Sequence, residues 1–114
     1  MRENLRLQQK IVRSMLRLDE RTANMKKPEK FSYKRYAGDA YMKLLELCIE
    51  ANAERGSKKP LQSRMDMELD KLRVFVDTAV APEIKLISPG LHEVWSKELN
   101  EIGALLGTWI KTTK

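Results

Sequence analysis

The stretch SPGLHEVWSKELNEIGALLGTWIK, residues 88–111, decides the fold class. A serine followed by a proline is a helix start. The hydroxyl can accept an orphan amide hydrogen of the first turn, and proline gives up an N–H that would have no partner there. From that start Leu91, Trp95, Leu99, Ile102, Leu106 and Trp109 recur at three- and four-residue steps, within about 80° of arc at 100° per residue. Gly103 and Gly107 interrupt the pattern, and each costs a helix interior roughly 1 kcal/mol relative to alanine. With Ser96 they line the flank of the apolar stripe. Small residues in line let another helix approach closely, so Ser96, Gly103, Gly107 and the adjacent Trp109 are expected at a helix-packing contact, inside the chain or between subunits.

Upstream the same period recurs three times. A segment from about Pro60 to Val80 carries Leu61, Met65, Leu69, Leu72, Phe75, Val76 and Ala79, and Pro82 closes it. Before it, RGSKKP at 55–60 offers Gly56 as a C-cap and Pro60 as a first-turn residue. A segment beginning between Ser32, an N-cap candidate, and Gly38 continues to about Glu54 through Tyr36, Ala40, Tyr41, Leu44, Leu45, Cys48 and Ile49. The first segment runs from about Glu3 to Lys26 and ends before Pro28. There is no strand-like alternation and no repeat of domain-building length. Four amphipathic helices with short connections predict an all-α, antiparallel up-and-down four-helix bundle, one domain over residues 1–114. The single Cys48, the lack of a leader pattern and the lack of a long apolar run point to a cytoplasmic chain with no membrane partner.

The formal net charge of +6 is placed unevenly. Residues 1–35 hold eleven Lys and Arg against four Asp and Glu, whereas residues 36–114 hold eleven against twelve. On the first helix Arg2, Arg6, Lys10, Arg13, Arg17 and Arg21 fall within about 100° of arc and form one ridge. The apolar residues take the complementary arc, so the ridge is expected to face outward. Lys26, Lys27, Lys30, Lys34 and Arg35 extend the charge around the following turn. Stacked cations repel one another, and only Glu20 falls within the arc to offset them. Such a ridge suits phosphate, with salt-dependent affinity and little sequence readout. The nearby aromatics Phe31, Tyr33, Tyr36 and Tyr41 are read as packing residues rather than base-stacking ones.

Residue types for catalysis are sparse. His92 has no Ser, Cys or Asp constellation that sequence can assign, and Cys48 lies on an apolar face. Asp66, Glu68 and Asp70 alternate by two, which sends them to different faces of a helix and makes a poor metal site. The reading is a non-enzymatic protein without cofactor or metal.

LNEIGALLGTWIK at 99–111 resembles the C-terminal signature of the Avd proteins, the accessory variability determinants of diversity-generating retroelements, through Glu101, Ile102, Gly103, Leu106, Gly107, Trp109 and Ile110. RYAGDAY at 35–41, LLELCIEANAE at 44–54 and LDKLRVFV at 69–76 are also similar to the family, whereas the first helix matches only in length, position and amphipathicity. Four-helix proteins encoded in intervening sequences of 23S ribosomal RNA genes share weaker versions of the pattern. The resemblance implies a homopentameric barrel of four-helix bundles that binds RNA, or an RNA/DNA hybrid, and a reverse transcriptase, and that supports mutagenic cDNA synthesis with the polymerase chemistry in the partner. Asp77 departs from it, standing where the family often carries an arginine. Two other readings remain: an intervening-sequence-type bundle of undefined role, and a structural oligomer whose ridge meets an acidic protein.

Overall fold

The computed structural model describes residues 4–26 and 28–114. Among them the secondary structure is helical throughout: α1 (Leu5–Leu16), α2 (Leu18–Thr22), α3 (Glu29–Ala53), α4 (Lys59–Val80) and α5 (Pro89–Thr112). The first two together form one leg of a four-legged bundle, 44 Å long and about half as wide. Each leg packs on the next in sequence, and α5 closes back onto α1, so α1 and α4 stand across the bundle from each other. Paired side chains show the antiparallel register. The Asn52 side chain of α3 accepts the Asn4 amide at 2.7 Å, while Ser14 and Tyr41 share a hydrogen bond of 2.6 Å further along. Gln62 of α4 reaches Thr113 at 2.8 Å, and Asp77 at the far end of α4 meets His92 at 2.8 Å.

Local chemistry accounts for most boundaries. Ser88 caps α5 by accepting the Leu91 amide at 3.1 Å, and Asn4 caps α1 in the same way through Leu7. The second long helix begins at Glu29, earlier than the window between Ser32 and Gly38, because a chain leaving Pro28 enters helical geometry at once and Ser32 falls inside the first turn. Gly56 does not cap α3 in a left-handed conformation, since no glycine has positive φ. The Lys58 ammonium instead donates to the carbonyls of Ala51 and Glu54 at 2.5 and 2.6 Å, satisfying the orphan acceptors of the last turn.

The continuous first helix expected over Glu3–Lys26 breaks at Arg17. There the backbone sits at φ −84°, ψ −3°, and its amide bonds back to Ser14 at 3.2 Å in a tightened turn. The core runs along the bundle axis through Leu7, Ile11, Tyr41, Leu44, Leu69, Leu72, Leu99 and Leu106, all essentially without solvent contact. Trp109 faces this core too, so its packing contact lies inside the chain.

The two glycines of α5 part company. A methyl group at Gly103 would press on the Arg73 guanidinium and meet Leu69 at 3.4 Å, so Gly103 makes room for side chains of α4, whereas Gly107 has nothing within 4 Å. The close helix contact expected at both is thus absent at Gly107 within the chain, and Ser96 beside them is half-buried. Replacing Gly107 with alanine removes the conformational cost without a clash and is expected to stabilise the chain by about 1 kcal/mol. A thermal melt checks this, and an unchanged or lowered midpoint would show that the position is occupied.

Candidate nucleic-acid interface

The ridge does not face outward as one surface. The buried positions of the first leg are Leu7, Ile11, Ser14, Leu18, Arg21, Thr22 and Met25, an arc whose centre lies about 150° round from Arg2 at 100° per residue. Counting Leu5, Val12, Met15 and Leu16 as inward places the apolar face further from the cations, but Leu5 and Leu16 are exposed. The leg is therefore rolled toward its own basic side, and that roll brings one flank of the ridge onto α5.

On α5, Glu98 and Glu101 meet it. Lys10 donates to Glu101 at 2.9 Å, Arg17 pairs with Glu98, and Arg21 donates to the other Glu98 oxygen at 2.5 Å. Arg21 is a correction to the sequence reading. Its side chain is only 6% exposed, it lies over the Trp95 ring 5.5 Å from the centroid, and it is closed to phosphate. The counter-charges missing from the first helix come from a segment some 80 residues later. Nothing in the local sequence signals them.

Glu98 anchors a polar network in the core. Trp95 donates its indole N–H to the Tyr41 hydroxyl at 2.9 Å, and Tyr41 shares its other hydrogen bond with Ser14. Burial raises the Tyr41 hydroxyl above its ordinary range, against the hydrogen bonds from Ser14 and Trp95. Burial would also raise the Glu98 carboxyl, but the hydrogen bond from Arg21, with the charges of Arg21 and Arg17, outweighs it and holds the group below the usual carboxylate value. At Glu101 the Lys10 hydrogen bond and charge lower the carboxyl.

Arg6 and Arg13, turned further from α5, are exposed and make no ion pair among the described residues, and the same holds for Lys26. Arg17 keeps half of its side chain in solvent. Arg2 and Lys27 lie outside the described residues. Lys34 is held by Asp19 at 2.5 Å. Among the described residues the open cations of the ridge are thus Arg6, Arg13 and Lys26, with Arg17 shared.

The aromatics divide against expectation. Tyr41 is core and Tyr33 half-buried, but Phe31 and Tyr36 are exposed, Tyr36 stacking on Phe75 with centroids 5.6 Å apart. His92 is engaged with Asp77, the position that departs from the Avd pattern. Burial pushes the Cys48 thiol up to about 11, so at neutral pH it stays protonated and unreactive. Among the described residues no group of three His, Cys, Asp or Glu side chains is placed to hold a metal, and no helix is long and apolar enough to cross a membrane.

Glu98→Gln leaves the buried Arg21 without its counter-charge and is expected to cost about 3–5 kcal/mol at neutral pH, read from urea unfolding. Because the folded-state carboxyl is depressed, its stabilisation is present above the ordinary carboxylate range and is lost as the pH falls through the folded value. The gap between the variant and the parent should therefore narrow in acid. A gap independent of pH would contradict the pairing.

No protein-family model, curated protein or solved structure matches this chain.

Proposed function

We propose that this chain is a non-enzymatic accessory protein that binds RNA through the open cations of its first leg. The observation that carries the reading is that, after α5 has taken Lys10 and Arg21 and shared Arg17, Arg6, Arg13 and Lys26 remain exposed and unpaired among the described residues. Guanidinium and ammonium groups spaced along a helical leg reach successive phosphates without reading base edges. The resemblance around EIGALLGTWI supports the more specific role: a cytoplasmic Avd-type subunit, assembled as a homopentamer, that holds template RNA and a reverse transcriptase during mutagenic cDNA synthesis. The polymerase chemistry then belongs to the partner.

A second reading has an observation of its own. The pairing of three ridge cations with α5 is what a purely structural oligomer would show, with the ridge holding the bundle together rather than meeting a polyanion.

The two separate on one variant. Arg6→Glu with Lys26→Glu alters two exposed positions that make no ion pair among the described residues, so helicity by circular dichroism should be unchanged. Retention on immobilised RNA at low salt should fall steeply, and the dependence of affinity on log salt should flatten by about 0.7–0.9 for each phosphate that is no longer neutralised. Unchanged retention would refute the RNA reading and leave the structural one. A pull-down with the product of an adjacent reverse-transcriptase gene tests the polymerase partner, and failure to capture it would refute that part.

A further inference from the structure

The exposed apolar side chains are concentrated. Leu5 and Leu16 on α1, with half-buried Val12, are spaced by seven and four residues and form a straight seam. On α3, Phe31, Met42 and Ile49 form another at spacings of eleven and seven. Going round α1 from its buried face, one meets Gln8, which accepts a hydrogen bond from Asn52 of α3 at 3.1 Å, and then the α1 seam. Going round α3 from its buried face, one meets Asn52 and then the α3 seam. The two seams are the walls of one groove along the α1/α3 contact. Leu16 and Phe31 are more than 70% exposed, and apolar surface so continuous is rarely left to solvent.

Across the bundle α4 presents the complementary shape. Met67 and Val74, seven apart, project from its outer edge at about 60% exposure each. On the side toward α5, marked by the Asp77–His92 bond, this ridge is flanked by Asp66 and by Asp70, which holds Arg73 at 3.0 Å; on the other side it is flanked by Arg64 and by Lys71, which holds Glu68 at 3.0 Å. The groove has the reverse arrangement. Its α1 rim carries Arg6 and Arg13, and its α3 rim carries Glu46 and Glu50. When one copy's α4 is laid along another copy's groove with the two bundles parallel, each rim meets the opposite charge.

The axial register agrees. Ser14 stands level with Tyr41, and Tyr36 with Phe75, while α3 runs antiparallel to both neighbours. Tyr41, five residues along α3, is therefore level with Asp70, which brings Arg13 level with Asp70 of the adjoining copy without any shift along the axis. A contact between different faces with no axial translation is the kind that can close into a ring.

We propose that the α4 ridge of one copy of this chain seats in the α1/α3 groove of the next, with Met67 and Val74 between the two seams and Arg13 facing Asp70. The proposal rests on the reading that copies associate, and it needs neither RNA nor a polymerase. Arg13 turns to the neighbour in the assembly. Lys26, beyond the end of α2, stays open to phosphate.

Light-scattering mass of the full chain after size exclusion tests it. The parent should run as a multiple of one chain, while Arg13→Asp, Asp70→Arg and Met67→Glu should each fall to the mass of one chain with helicity retained. Arg13→Asp combined with Asp70→Arg in the same chain should regain the parent mass. A monomeric parent, a Met67→Glu variant of parental mass, or single charge variants that dissociate but are not rescued by the swap would each overturn the assignment. Arg6 lies on the groove's rim, so the separating variant is Lys26→Glu alone, which changes neither the two seams nor the α4 ridge: lost RNA retention at unchanged mass belongs to the RNA reading and lost mass to this one.

Discussion

The buried pair between Arg21 and Glu98 is the constraint on which the arrangement of the molecule depends. A guanidinium at the edge of the core is tolerable only when its charge and its donors are met, and here a carboxylate at 2.5 Å and the face of Trp95 meet them. Ser14, Tyr41 and Trp95 form a second set of hydrogen bonds that meets the pair where Arg21 lies over Trp95, so every leg except α4 contributes to one polar cluster. Such a network fixes the roll and register of helices more sharply than apolar packing does, because a donor displaced by one residue loses its acceptor outright.

That roll has consequences at the surface. Drawing Arg21 inward brings Arg17 and Lys10 onto α5 and turns Leu5 and Leu16 outward. It divides a continuous cationic ridge into a paired flank and an open one, and it leaves the chain with an apolar groove that its own elements do not fill. Both features follow from one rotation of the first leg. The break at Arg17 lets the short α2 follow the same carboxylate while α1 keeps its own packing against α3.

The paired flank leaves Arg6, Arg13 and Lys26 open among the described residues. A basic surface on the outer side of a rod, with the excess positive charge in the first third of the chain, is suited to a polyanion held by its backbone. The apolar groove belongs to a separate demand, the covering of surface that the isolated chain exposes.

Periodicity alone determined the helical class, the four legs and most of the core. Leu91, Trp95, Leu99, Ile102 and Leu106 could pack only on one face of one helix, and Ser88-Pro89 could start it only where it does. Local sequence also determined where the positive charge is concentrated. What it left undecided was which cations are free and which way the first leg turns, because Glu98 and Glu101 are distant in the chain and become neighbours of α1 only when α5 closes the bundle. The glycines show the same division. Their cost is local and legible, but that Gly103 accommodates Arg73 while Gly107 opens onto free space was decided by tertiary packing, since only the position of α4 determines what a side chain there would touch.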